Sequence, residues 1–155
     1  MDLEGRTAVI TGASRGLGAG LAEVFRERGL RLALCARSEP VLADDDAVLA
    51  RRVDVSREDE VARFAEEAAA HLGKIDLWVN NAGVLEPIAP LRDCEPDAVR
   101  HHVEINLLGV FWGMQAYVRH RRAVGGGGVL LNVSSGAARN AYAGWSAYCA
   151  AKAGV

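Results

Sequence analysis

Short apolar runs alternate along the chain with segments in which apolar residues recur every three or four positions. The apolar runs predict buried strands at 7–10, 30–36, up to 53–55, at 75–80 and at 129–133. The recurring positions predict helices at 17–28, 56–72 and 96–120 and from Trp145 onward. Because strands and helices alternate, we predict an α/β fold, a doubly wound parallel sheet of the Rossmann type. No linker or repeat divides the chain, which indicates one domain over residues 1–155.

Residue types at the ends of the second predicted helix support its boundaries. Ser56 is expected to be the N-cap, since Asp59 follows three residues later and acidic residues fill the first turn. Gly73 is expected to end this helix. The stretch before the third strand, around Asp44–Asp46, is short and acidic, so a turn is expected there instead of a long helix.

Composition narrows the class of protein. Of the 155 residues, 50% are hydrophobic and 25% are charged, which is typical of a globular protein. A net charge of −2 gives no reason to expect nucleic acid or a membrane surface as the partner. No run reaches the roughly 20 apolar residues of a membrane span, and the acidic start Met1–Glu4 is not typical of a secretory signal. With 3 cysteines far apart, we expect no disulfide framework and a cytoplasmic location.

A glycine-rich turn joins the first predicted strand to the first predicted helix. It runs from Thr11 to Gly18 with the spacing Gly-x-x-x-Gly-x-Gly, which differs from Gly-x-Gly-x-x-Gly. Glycines let the backbone turn sharply, and free N–H groups at the helix start can bind a pyrophosphate. A plain tight turn is the alternative, but the position between the first strand and the first helix favours nucleotide binding.

Two arginines favour NADP(H) over NAD(H). An acidic residue at the end of the second strand would bind a ribose 2′-hydroxyl and repel a 2′-phosphate. This chain has Arg37 at that end and no carboxylate before Glu39, and Arg15 lies in the glycine turn. Either guanidinium can bind a phosphate through two hydrogen bonds. The alternative is that both are solvated surface charges.

Tyr148 and Lys152 are the candidate catalytic pair. Four residues apart on a helix, they lie on the same face. A phenol has a pKa near 10, and a neighbouring ammonium favours its ionised form, so that it can exchange a proton at neutral pH. Taken alone, the spacing is also common on solvated helices.

Further segments complete a recognisable order of motifs. They are Asp54-Val55 after the third strand, Asn80-Asn81-Ala82-Gly83 after the fourth strand, Asn106 in the long helix, and Ser135, which lies 13 residues before Tyr148. Together with the glycine turn and Tyr148-x-x-x-Lys152, this order over the whole chain resembles the short-chain dehydrogenase/reductase family.

The resemblance implies an oxidoreductase that transfers a hydride between NADP(H) and a carbonyl compound or secondary alcohol. Tyr148 would be the acid in reduction and the base in oxidation. Lys152 would lower the tyrosine pKa and hold the nicotinamide ribose. Ser135 would hydrogen-bond the developing oxyanion, and Asn106 would hold a water of the proton relay. The implied cofactor-binding residues are Gly12, Ser14, Arg15, Gly16, Leu17, Gly18, Arg37, Asp54, Val55, Asn81, Ala82, Gly83, Tyr148 and Lys152.

Several neighbouring residues have other interpretations. Ser134 is the rival for the serine role, but strand alternation lets only one serine face the site, and the spacing to Tyr148 favours Ser135. His101 and His102 lie about 100° apart on a helix and are a poor pair of metal ligands, so no metal is expected. Three side chains either line a substrate pocket or pack the loop: Asn140, Tyr142 and Trp145.

The resemblance also implies further chain beyond this sequence. Family members continue with more strands and a loop over the substrate, so the sheet is expected to be truncated after the fifth strand and the start of the following helix. The fifth strand would then be an apolar sheet edge. We expect the sequence to be the ordered part of a longer protein in preference to a fragment. Most residues that select the substrate would lie outside it.

Two other functions remain open from the sequence. The chain would act as a nucleotide-binding module without catalytic competence, or as a dimerising interaction protein with a vestigial cofactor site. By resemblance, the expected partners are a small carbonyl or alcohol substrate and other copies of the chain. A homodimer or homotetramer would pack through the long helix, 96–120, and the helix that begins at Trp145.

Overall fold

A computed structural model describes residues 3–155, which contain a five-stranded sheet with helices on both faces. The strands are β1 (Thr7–Thr11), β2 (Arg31–Ala36), β3 (Val48–Arg52), β4 (Leu77–Asn80) and β5 (Val129–Asn132). They are parallel and lie in the order β3-β2-β1-β4-β5. The predicted Rossmann-type sheet is confirmed.

The predicted helices are present, and one of them contains a wider turn. The helices are α1 (Gly16–Glu27), α2 (Glu58–Leu72), α3 (Pro96–Val103), α4 (Gly109–Val124) and α5 (Ser146–Gly154). The predicted long helix is continuous, but a π-helical turn at Glu104–Leu108 joins α3 to α4. This helix also runs past the predicted end, His120, to Val124.

Apolar positions follow the strand and helix periods and place a core on each face of the sheet. On β1, Val9 packs with the α2 side, whereas Ala8 and Ile10 pack with the α1 side. The apolar stripe of α2 includes Phe64, whose ring meets the edge of Trp78 with centroids 6.4 Å apart. Because both faces are covered, the central strands are buried and rigid, and their carboxyl ends provide fixed positions for loops.

Two further predicted boundaries are wrong, and both lie beside the Asp54 carboxylate. Ser56 is not the N-cap of α2; Arg57 occupies that position without a side-chain cap. The third strand ends at Arg52, before the predicted end at 53–55. The Asp54 carboxylate accepts hydrogen bonds from the Ser56 N–H at 3.0 Å and from its hydroxyl at 2.8 Å. This local side-chain turn competes with the strand and with the expected cap.

Other features of the chain follow the expectations. A turn, and no helix, precedes β3, where Asp45 and Val48 form an isolated bridge. β5 lies at one edge of the sheet, and its Val129 and Leu131 are 58% and 47% exposed. Within residues 3–155, no helix is long and apolar enough to cross a membrane.

Candidate functional site

A cleft of about 720 Å³ opens at the carboxyl ends of β1 to β4. In doubly wound sheets, ligands bind at this edge where the strand order reverses, which here is between β1 and β4. The lining residues come mainly from the loops after these strands, and they are Gly12, Ser14, Arg15, Gly16, Leu17, Ala36, Arg37, Ser38, Arg52, Val53, Asp54, Val55, Asn81, Ala82, Gly83, Val84 and Ile105.

Two glycines let the β1–α1 turn pack against the loop after β4. Gly12 has a φ of +71°, and a Cβ atom there would lie 2.7 Å from the Ala82 Cα. A Cβ atom on Gly18 would lie 2.3 Å from the Gly12 carbonyl oxygen and 2.4 Å from the Asn81 Nδ2. Gly18 is buried behind the turn and does not line the cleft. It therefore contributes to the cleft through close packing.

Hydrogen bonds hold the same two loops together. The Asn81 side chain donates from Nδ2 to the carbonyl oxygens of Thr11 at 2.9 Å and Gly12 at 3.2 Å. The Thr11 hydroxyl oxygen accepts from the N–H groups of Asn81 at 3.0 Å and Ala82 at 3.1 Å. These four bonds fix the floor of the cleft before any ligand enters.

In the part of the chain that the structure describes, no side chain caps the N-terminus of α1, where the helix dipole is positive. Its N-cap, Arg15, makes no side-chain cap hydrogen bond, and no acidic residue lies in the first turn. By contrast, Glu58, Asp59 and Glu60 fill the first turn of α2. Free N–H groups and the helix dipole at the α1 terminus are suited to binding an anion such as a diphosphate.

Three arginines line the cleft. Arg15 follows β1 in the glycine turn, Arg37 follows β2, and Arg52 ends β3. The Arg52 Nε donates to the Arg37 carbonyl oxygen at 3.2 Å. Sequence reasoning missed Arg52, although it pairs with Ala36 across β2 and β3. These three guanidinium groups can bind a phosphate, and Asp54 is the one carboxylate among the described lining residues.

Asn106 lies in the π-helical turn and is fully buried. Its Oδ1 accepts from the Val84 N–H at 3.1 Å, and its Nδ2 donates to the Val84 carbonyl oxygen at 2.9 Å. A Cβ atom on Gly83 would lie 2.7 Å from the Asn106 Oδ1. The Asn106 side chain therefore holds the cleft-lining loop against the helix, and π turns are frequent at functional sites.

The structure brings Tyr148 and Lys152 together on α5. The Lys152 Nζ lies 5.7 Å from the centroid of the Tyr148 ring. It also donates to the Val133 carbonyl oxygen at 2.9 Å, just after β5. Lys152 is only 5% exposed, and burial lowers its pKa below the ordinary lysine value. The side chain is thus a buried amine anchored to the carboxyl end of the sheet.

The two candidate serines differ in burial. Ser134 is exposed, whereas Ser135 is half-buried. The Ser135 Oγ accepts from the Ala137 N–H at 3.2 Å, at the start of a short 3-10 turn, Gly136–Ala138. This bond uses the oxygen as an acceptor and leaves the hydroxyl proton available as a donor.

Aromatic rings continue from the loop before α5 to the candidate catalytic tyrosine. The rings of Tyr142 and Trp145 have centroids 5.1 Å apart, and those of Trp145 and Tyr148 are 5.8 Å apart at an angle of 87°. Asn140 instead donates to the Gly136 carbonyl oxygen at 2.9 Å and packs the loop. Trp145 therefore fixes one side of the Tyr148 ring.

Comparison with known proteins agrees with this geometry. A family model described as short chain dehydrogenase matches residues 6–155. The chain belongs to the short-chain dehydrogenase family. The resemblance stated from the sequence is confirmed. A curated relative, cis-4-hydroxycyclohexanecarboxylate dehydrogenase from Sinomonas cyclohexanicum, is 41% identical over 97% of this chain and 63% of its own length.

Solved structures give the same family. A short-chain dehydrogenase/reductase from Serratia marcescens BCRC 10948 has a TM-score of 0.86 and 27% identity, over 99% of this chain and 68% of that chain. An alcohol dehydrogenase from the archaeon Thermococcus sibiricus, complexed with 5-hydroxy-NADP, has a TM-score of 0.84 and 28% identity, over 96% of this chain and 66% of that chain. The chain spans 59% to 63% of the length of the first curated relatives it matches.

Proposed function

We propose that the protein is an NADP(H)-dependent oxidoreductase that interconverts a carbonyl compound and a secondary alcohol, with Tyr148 as the acid and base. The observation that carries this proposal is the buried Lys152 amine beside the Tyr148 ring, on the helix that follows β5. The relatives support it, since one is named for dehydrogenation of a hydroxycyclohexane ring.

The residues of the cleft fit a nicotinamide dinucleotide. The free N-terminus of α1 would hold the diphosphate, with the backbone of Gly12 to Gly16 close to it. Arg15, Arg37 and Arg52 would hold a ribose 2′-phosphate, which supports NADP(H) over NAD(H). The 5-hydroxy-NADP in the Thermococcus sibiricus relative supports the same choice. When bound, this cofactor supplies or accepts the hydride.

Tyr148, Lys152 and Ser135 would act on the substrate oxygen. In reduction, the Tyr148 hydroxyl donates its proton to the carbonyl oxygen, and the Lys152 ammonium stabilises the phenolate that remains. The Ser135 hydroxyl donates a hydrogen bond to the same oxygen and stabilises its developing charge. Because burial lowers the Lys152 pKa, this amine releases a proton more readily than an exposed lysine. That property suits a relay that restores the Tyr148 proton.

Asn106 would position the other end of the relay. Its side chain makes two hydrogen bonds to the Val84 backbone, which fix its orientation, and we assign the relay water to this part of the π turn. The exposed apolar residues Leu108, Phe111 and Val118 on the same long helix support self-association through this helix as a homodimer or homotetramer.

The proposed reaction is tested by following NADPH oxidation, from the loss of its reduced-nicotinamide absorbance, with a panel of ketones and aldehydes. We expect turnover with at least one carbonyl class and a 10²- to 10⁴-fold lower kcat in Tyr148→Phe, roughly the usual contribution of general acid catalysis. NADPH binding, measured by quenching of tryptophan fluorescence, is expected to be retained in that variant.

Tyr142→Phe is the matched control, because Tyr142 is exposed and its ring contact with Trp145 survives the change. It is expected to keep native turnover. NADPH binding without turnover of any carbonyl would contradict the enzymatic proposal and favour a nucleotide-binding module. Absence of both binding and turnover would contradict the cofactor proposal as well.

A further inference from the structure

His102 connects Asn106, the loop after β4 and Tyr148, yet no step of the proposed reaction uses it. It lies one helical turn before Asn106 and is 1% exposed. Its Nδ1 is 2.6 Å from the Glu86 carbonyl oxygen, and its Nε2 is 3.1 Å from the Asn106 Nδ2. Its ring meets the Tyr148 ring edge to face, with centroids 6.0 Å apart and an angle of 76°.

The hydrogen bonds determine which imidazole nitrogen carries the proton. The Val84 backbone fixes the Asn106 amide, because the Val84 N–H must be accepted by Oδ1 and the Val84 carbonyl must receive Nδ2–H. The second Nδ2 hydrogen points toward His102, where the backbone carbonyl oxygen at 3.3 Å and the ring Nε2 at 3.1 Å are both within reach, so Nε2 faces a donor. The Glu86 carbonyl oxygen can only accept, so Nδ1 is the donor of the other ring hydrogen bond. The proton therefore lies on Nδ1, where it is donated to the Glu86 carbonyl oxygen. A second proton on Nε2 would face the amide N–H.

We propose that His102 is a positioning residue for the reaction: a neutral imidazole, protonated on Nδ1, that orients Asn106 and ties the loop at Glu86 to the long helix. This inference rests on the proposed function, in which Asn106 belongs to the proton relay. Each bond satisfies a buried polar group, and leaving such a group without a partner costs free energy. The edge contact also places the imidazole against the acid–base tyrosine.

The neighbouring His101 has a different environment. Its side chain is 52% exposed, and its Nδ1 lies 3.6 Å from Glu104 Oε2 on the surface of the helix. Among residues 3–155, no group of three or more His, Cys, Asp or Glu side chains is placed to hold a metal ion. The geometry thus points to a role of His102 through Asn106, and His101 offers a matched control.

Three variants of the full-length protein test this role. His102→Phe keeps a ring against Tyr148 but removes both ring hydrogen bonds. We expect about a tenfold lower kcat with little change in the KM for NADPH, because only the bond to Asn106 belongs to the proposed relay. His102→Gln restores an acceptor for the Asn106 amide and is expected to recover kcat to within about threefold of native. His101→Phe is expected to leave kcat unchanged.

Nuclear magnetic resonance detects the proton position on the His102 ring without any turnover. In protein labelled with ¹⁵N-histidine, the His102 signals, assigned by their loss in His102→Phe, are expected to show a neutral ring with the proton on Nδ1. A proton on Nε2 would overturn the inference, as would a native kcat in His102→Phe or a kcat in His102→Gln as low as in His102→Phe. If the native protein turns over no carbonyl, the proposed function fails, and the catalytic role of His102 fails with it. The proton position then still decides whether His102 orients Asn106.

Discussion

Arg37 and Arg52 are 15 positions apart in the sequence but meet at one end of the cleft, because β2 and β3 are paired in register. The Arg37 carbonyl oxygen binds the Arg52 Nε, which orients the guanidinium and leaves its terminal nitrogens for a ligand. A guanidinium held in this way loses less side-chain entropy when it binds a phosphate. Arg52 therefore becomes a determinant of cofactor choice in the proposed NADP(H) site.

We predict that Arg52→Ala weakens NADPH binding about tenfold or more and changes NADH binding less than about twofold, because a charge-assisted hydrogen bond contributes about 1.5–3 kcal/mol. Isothermal titration with both cofactors measures this. Arg57→Ala is the control, since Arg57 pairs with Asp59 on the surface outside the cleft. An equal loss of affinity for NADPH and NADH would show that Arg52 does not bind the 2′-phosphate.

At the residue scale, sequence reasoning predicted site residues whose signals are local or belong to a known motif. The glycine turn and the Tyr148–Lys152 pair are of this kind. It missed Arg52 and His102, because the partners of both are backbone carbonyls brought close only by the tertiary fold. The spacing of four residues between His102 and Asn106 was a usable signal, the same one that identified Tyr148 and Lys152.

At the scale of elements, α1 requires glycine at one position and tolerates a side chain at another. A Cβ atom on Gly18 would lie 2.3 Å from the Gly12 carbonyl oxygen, whereas one on Gly20, in the same helix, would meet no atom within 4 Å. The two positions therefore form a matched pair for the same substitution.

Gly18→Ala is expected to lower the free energy of unfolding by about 1–3 kcal/mol, the usual cost of overpacking. Gly20→Ala is expected to raise it by about 0.5–1 kcal/mol, because alanine favours the helix and restricts the unfolded chain. Urea unfolding followed by circular dichroism gives both values. Equal stability of the two variants would contradict the close approach at Gly18.

Asp76 connects the starts of β1 and β4. Its Oδ2 accepts from the Thr7 N–H at 3.3 Å, and its Oδ1 lies 3.3 Å from the Lys74 Nζ and 3.6 Å from an Arg6 nitrogen. Burial acts to raise the Asp76 pKa, but the Thr7 N–H and the two cations outweigh it and lower the pKa. A carboxyl whose folded-state pKa is lowered stabilises the fold above its unfolded pKa, and this stabilisation disappears as the pH falls through the folded value.

We therefore expect Asp76→Asn to lower the free energy of unfolding by about 1 kcal/mol at pH 7. The difference from the native protein should shrink as the pH falls below about 4, the ordinary range of aspartate. Urea unfolding at a series of pH values measures it. Asp93→Asn, which removes an exposed ion pair with Arg92, should change stability little. A difference for Asp76→Asn that is independent of pH would rule out the carboxylate as its source.

Element types were predictable because the apolar periods of strands and helices are local. The exceptions were set by single side chains or single turns. The Asp54 carboxylate ends the third strand early and leaves α2 without the expected Ser56 cap. The π turn at Glu104–Leu108 shifts the apolar repeat by only one residue, which lies within the tolerance of helical spacing.

At the scale of the whole molecule, the parallel sheet brings motifs that are far apart in the sequence to one edge. Residues after β1, β2, β3 and β4 line the cleft, and Ser135 follows β5 at the same edge. This convergence is the physical basis for predicting one site from motifs spread over the chain from Thr11 to Lys152. Strand order and the distances within the site required the tertiary fold.

Deuterium transfer tests the central claim most directly. NADPH carrying deuterium at both C4 positions of the nicotinamide would be incubated with the protein and a carbonyl panel, and the alcohol products analysed by mass spectrometry. We predict one deuterium on the carbinol carbon with the native protein and at least about a hundredfold slower labelling with Tyr148→Phe. Native protein that labels no product, or Tyr148→Phe that labels as fast as native, would contradict the assignment of Tyr148 as the proton donor of an NADP(H)-dependent reductase.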